Sequence, residues 1–101
     1  MEHQGVPKFL EKLKKRDLEL FEAVHGMLKK VMTPGVLDVK TKILIAIAVD
    51  AGKGAKAGVE NLSKQARRMG ITDAEIHEAL TVAQASANLE FMANAGKAFE
   101  D

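Results

Sequence analysis

The chain of 101 residues contains no cysteine, no tryptophan and no tyrosine, and it has only two prolines. The absence of cysteine excludes disulfides, thiolate metal sites and thiol catalysis. With only four Phe, the 47% apolar fraction falls to Ala, Leu, Ile, Val and Met, a composition that favours helices over a β-sandwich. An excess of charge is missing too: 15 basic and 14 acidic residues leave a net charge of +1, so no global field steers the chain toward nucleic acid or an anionic membrane. No apolar run approaches the ~18 residues of a membrane span, and no basic-plus-apolar leader opens the chain; a soluble, cytoplasmic protein is therefore expected. The length fits one domain, whose core is limited because a chain of this size buries only about two-thirds of its unfolded surface.

The punctuation predicts an all-α, single-domain bundle of about five helices. Residues 1–5, "MEHQG", lack periodicity and read as a disordered tail, leaving 6–101 as the domain. Val6, Phe9, Leu10 and Leu13 recur at helical spacing among lysines, which gives a short amphipathic first helix. A second begins near Asp17, carries the stripe Leu18, Phe21, Val24, Leu28 and Val31, and stops at Thr33-Pro34-Gly35. Asp38 caps a third, whose run Ile43 to Val49, "ILIAIAV", is apolar on every side and so should be covered on several sides. The fourth spans about Ala55 to Met69, with Val59, Leu62, Ala66 and Met69 inward and Glu60 and Lys64 paired outside. Gly70 suits a left-handed helix end, Thr72 and Glu75 form a capping box, and Ile71 and Ile76 supply a hydrophobic staple. The last helix carries Ile76, Leu80, Ala83 and Ala87 inward and runs to about Ala95; Ala83, Ala85, Ser86 and Ala87 are small enough to let another helix approach.

Three constellations invite a chemical reading. "DAGKGAKAGVENL", from Asp50 to Leu62, has the glycines and lysines of a phosphate loop, but Gly52-Lys53-Gly54 lacks the following Ser or Thr and the preceding strand that such loops need. Lys53 and Lys56 could hold an anion at the start of the fourth helix, where backbone N–H groups are unpaired, although solvated lysines in a turn are the simpler reading. Among His3, His25 and His77, Glu22-Ala-Val-His25 is half of a di-iron bundle motif without its second copy, and His77 is placed to pair with Asp73 on the surface. Ala66, Gly70, Ile71 and Ile76 have helix-turn-helix spacing. The recognition helix would nevertheless present Asp73, Glu75 and Glu78 to phosphates, which Lys64, Arg67 and Arg68 offset only in part.

Pro34-Gly35 with Leu37-Asp38 and Lys40-Thr41-Lys42, the apolar run to Val49, and the junction Ala66, Gly70-Ile71-Thr72, Glu75-Ile76, Glu78-Ala79-Leu80 together resemble the carboxymuconolactone decarboxylase family, which includes the alkylhydroperoxidase D-like proteins. The resemblance covers roughly Leu18 to Phe99 and implies an all-helical fold that assembles as a trimer or hexamer. It also implies a peroxidase site of Glu, then Cys-x-x-Cys, then His three residues after the second cysteine. Counted back from Gly70, those positions fall on Ile43, Ala55, Gly58 and Leu62, so all four reactive groups are replaced. A one-residue slip puts Asn61, a poor base, at the histidine position that the decarboxylase branch keeps.

The expectation is thus a homo-oligomer with no catalytic residues, cofactor or metal, in which Lys42, Asp50, Lys53, Lys56, Glu60 and Asn61 line a binding region for a small molecule or protein partner. Neither a membrane nor nucleic acid is expected as a partner. Two alternatives stand beside it: a decarboxylase or lactone-acting enzyme built on Lys42, Asp50, Lys53 and Glu60, and a helix-turn-helix module.

Overall fold

In the computed structural model, residues 8–100 are described; the 1–5 tail and Val6 lie outside them. Five α-helices follow one another, α1 (Lys8–Arg16), α2 (Leu18–Met32), α3 (Val39–Lys53), α4 (Lys56–Arg68) and α5 (Asp73–Ala95), and a 3₁₀ turn (Gly96–Phe99) closes the described chain. No strand occurs among the described residues. Helices α2, α3 and α5 start where short polar side chains satisfy the first free N–H groups. Asp17 accepts from the Leu20 N–H at 3.0 Å and Asp38 from the Thr41 N–H at 2.8 Å. Thr72 and Glu75 form the reciprocal capping box in full, Glu75 N–H to Thr72 Oγ1 and Thr72 N–H to Glu75 Oε1.

The C-terminal ends of α3 and α4 are glycine-closed. Gly70 has φ +87°, its N–H donates to the Arg67 carbonyl, and the Ile71 N–H reaches back to that of Ala66. Gly54, at φ +79°, repeats the pattern with N–H groups 54 and 55 donating to the carbonyls of Ala51 and Asp50. A left-handed residue at this place lets the last carbonyls of a helix be satisfied while the chain turns back.

Helix α3 is the centre of the molecule, packed between α4 and α5. Ile43, Ile47, Ala66, Ile71 and Ile76 form the core, with Met32, Val39, Leu44, Leu62 and Leu80 against it. Helices α1 and α2 make a second, smaller site of burial around Leu10 and Phe21, where the Phe21 ring stacks on His25 at 5.3 Å and lies under the Lys14 ammonium at 5.5 Å. That pair of helices touches α3 only lightly. The result is elongated: the radius of gyration is 16.8 Å, against ~13 Å for a compact domain of about 100 residues.

Several apolar positions expected inside are therefore outside. Within α3 only Ile43 and Ile47, one turn apart, are fully buried; Ile45 and Val49 are half-exposed, because α4 and α5 cover one side and, among the described residues, only α2 touches the helix elsewhere, and lightly. Of the α2 stripe, Phe21 is buried and Val24 half-buried, whereas Leu18, Leu28 and Val31 are exposed since the hairpin leans away from the core. Met69 caps α4 in solvent, and Ala87 is exposed because α5 runs on past its contact with α3. Glu60 and Lys64 form no ion pair within 4 Å, and Asp73 accepts from Arg67 Nε at 3.0 Å instead of pairing with His77.

Candidate functional site

The α3–α4 junction is built by the Gly54 turn, which reverses the chain and sets the first turn of α4 beside the last turn of α3. Its cap residue, Ala55, offers no side-chain acceptor to the N–H groups of α4. The Asp50 carboxylate comes close to that helix start instead, where the positive end of the helix dipole favours a negative charge. It lies over Gly58: a Cβ built on that glycine would meet the carboxylate, 2.9 Å from its carbon. Asp50 is half-buried, and Lys53, Lys56, Glu60 and Asn61 are exposed; Lys56 and Glu60, each two residues from Gly58, fall on the opposite side of α4 from the position that Asp50 covers.

Two of the positions that correspond to reactive groups are hydrocarbon in a shared cluster: Ile43 is fully buried and Leu62 packs against the core it belongs to. Ala55 is half-buried at the turn, and Gly58 faces Asp50. No thiol is present anywhere in the chain. Among the described residues, no group of three His, Cys, Asp or Glu side chains converges as metal ligands would; His25 is committed to its stack with Phe21.

Lys42 does not join this region. Its Nζ donates to the carbonyl oxygens of Val31 and Thr33, both at 2.7 Å, and so caps the C-terminal end of α2. The expected grouping of Lys42 with Asp50 and Lys53 is thus corrected, because the end of α2 offers the ammonium two carbonyls unused by the helix itself. The sequence read α2 and α3 separately and missed this bridge. It missed equally the ion pair between Lys40 at the start of α3 and Glu75 at the start of α5.

Electrostatic perturbation is concentrated at the helix caps. The Asp38 carboxyl is held below its ordinary value chiefly by the hydrogen bond from the Thr41 backbone N–H, with the Thr41 side chain adding to it. Glu75 is lowered first by the hydrogen bond from Lys40 and then by the Thr72 backbone N–H. Both carboxylates are fastened to structural partners. On the proposed DNA-facing helix this leaves Glu75 tied to Lys40 and Asp73 tied to Arg67, so one of the cations expected to offset the acidic face is already engaged within the fold.

A groove of about 570 Å³ lies elsewhere, along the middle of α5, lined by Thr81, Gln84, Ala85, Ala87 and Asn88. No helix among the described residues is long and apolar enough to cross a membrane.

Comparison with known proteins agrees with this architecture. The chain is 32% identical over 80 residues to the uncharacterized protein MJ1511 of Methanocaldococcus jannaschii, a match that covers 79% of this chain and 75% of that one. No solved structure matches it. The model of the carboxymuconolactone decarboxylase family matches residues 19–101, from the second residue of α2 through α5 and the closing turn. The chain belongs to the carboxymuconolactone decarboxylase family.

Proposed function

We propose that this chain is a non-redox member of its family, a helical homo-oligomer whose role is to bind a small molecule or a protein partner at the α3–α4 junction. The single observation that carries the reading is the replacement at the junction: hydrocarbon at Ile43 and Leu62, a methyl at Ala55, and bare backbone at Gly58 beneath a carboxylate. Peroxide reduction by a dithiol route needs a thiolate to attack and a base to take its proton, and neither stands at these positions. Asp50, Lys53, Lys56, Glu60 and Asn61 remain as the polar surface of the junction, suited to holding a ligand that carries both hydrogen-bonding and charged groups. Purified protein is expected to show no peroxide turnover with a dithiol reductant, and native mass spectrometry of protein from its own host is expected to show an assembly with a retained molecule. Turnover of peroxide would refute the reading.

One observation favours a second reading. Asp50 is the ionisable group in contact with the backbone at the second cysteine-equivalent position, Gly58. A decarboxylase or lactone-acting enzyme could use that carboxylate as proton acceptor, with Lys53 and Glu60 nearby in sequence. If any such turnover is found, Asp50→Asn should abolish it; a binding role predicts no activity to lose.

A further inference from the structure

Helix α5 carries two apolar stripes on opposite faces. Ile76, Leu80 and Ala83 turn inward to the core around α3. Val82, Ala85, Leu89 and Met92 repeat at alternating steps of three and four, and at 100° per residue they fall about half a turn away from the first stripe. All four are exposed, Val82 and Leu89 at 68% and Met92 at 59%. A stripe with this 3.5-residue period, two positions wide in each seven, is the seam by which one helix packs lengthwise on another. No helix of this chain occupies it among the described residues.

The amount of open surface has the same meaning. A folded monomer of 10.9 kDa exposes about 5,600 Å², whereas this chain exposes 7870 Å². The excess, about 2,300 Å², exceeds the ~800 Å² per partner of a standard stable interface. A contiguous exposed apolar stripe of this kind marks an interaction surface.

The flanks of the seam say what covers it. Thr81, Ser86, Asn88 and Ala93 border it and are uncharged, and from Ala79 to Phe99 the only charged residues are Glu90 and Lys97, which both lie one step to the side of the seam. Charges at flanking positions are what select a different partner and repel a copy of the same helix. Here neither device is present. The groove lined by Thr81, Gln84, Ala85, Ala87 and Asn88 reaches the seam only at Ala85 and otherwise runs along its side.

We infer that the outer face of α5 is a self-association surface, on which the α5 helix of a second copy of this chain packs along Val82, Ala85, Leu89 and Met92. The inference rests on the homo-oligomeric part of the proposed function and names the surface that builds it.

The experiment uses the full chain. Sedimentation velocity of the wild type is expected to give a multimer, and Leu89→Glu is expected to lower its mass by a factor of two or more with helical circular dichroism retained, since the position is exposed within the subunit. As a second measurement independent of folding changes caused by that charge, Ala85→Cys supplies the sole thiol of the protein. A short bis-maleimide should convert most of it to covalent dimer, whereas Lys64→Cys, on the outer side of α4, should remain monomeric on denaturing gels. A multimer unchanged by Leu89→Glu, or equal cross-linking at the two cysteines, overturns this surface while leaving homo-oligomerisation intact. A monomeric wild type overturns both.

Discussion

The carboxylate of Asp50 occupies the space that a side chain at Gly58 would need: the carboxylate carbon stands 2.9 Å from where a Cβ would sit. An alanine inside a helix is ordinarily more stable than a glycine by about 0.5–1 kcal/mol. At Gly58 that gain is spent displacing Asp50 from the start of α4. Gly58→Ala should therefore be close to neutral in the wild type and stabilising by about 0.5–1 kcal/mol in an Asp50→Ala background. Urea unfolding of the four variants of this cycle measures the coupling; strict additivity would show that the two residues do not compete for space.

Lys42 fastens the α1–α2 hairpin to the rest of the chain through its two bonds to the end of α2. Lys42→Met keeps the stem and removes the donor. Because the contact is open to solvent, a loss of about 1 kcal/mol is expected, below the ~1.5–3 kcal/mol usual for hydrogen bonds to charged groups. Amide hydrogen exchange should rise more in α2 than in α4, a difference that uniform destabilisation would not produce.

The Asp38 and Glu75 carboxyls are both depressed in the folded chain. The sign follows from linkage: a group with a lower folded than unfolded pKa binds fewer protons when folded, so its contribution is full above the ordinary glutamate value of 4.5 and is lost as pH falls through the folded value. The urea midpoint should drop on acidification below about pH 4.5, and Glu75→Gln should flatten that drop. An unchanged slope in Glu75→Gln would place the acid sensitivity elsewhere.

Gly70 is held at φ +87°, where an L side chain is strained. Gly70→Ala should cost about 1–2 kcal/mol, read as a lower thermal midpoint with native helix content retained below it. Gly26, in the middle of α2 with nothing within 4 Å of a built Cβ, is the contrasting position: Gly26→Ala should raise stability by up to about 1 kcal/mol.

The local grammar of the chain was legible before any coordinates. Asp17, Asp38, Gly70 and the Thr72–Glu75 box act within four residues of their partners, so residue type and spacing are enough to reveal them. Apolar periodicity marked the helices but not what covers them. Leu28, Val31, Ile45 and Val49 have the pattern of interior residues, yet the fold leaves them open, since a period reports a face and not its neighbour. The site was harder still. The contacts of Lys42 with Val31 and Thr33, and of Asp50 with Gly58, join residues eight to eleven positions apart across a turn, and no local rule links them. Family resemblance located the junction, while the presence of a carboxylate over Gly58 needed the three-dimensional arrangement.

The Leu10–Phe21 contact lies apart from the Ile43–Ile47 core, and separate sites of burial of unequal size favour opening in separate steps. The central trio α3–α5 can complete its burial through neighbours in sequence, which is the rapid way to fold. The leading pair has little apolar burial of its own and is expected to open first on warming, loosening the chain at α1 and α2 while the scaffold around α3 still stands.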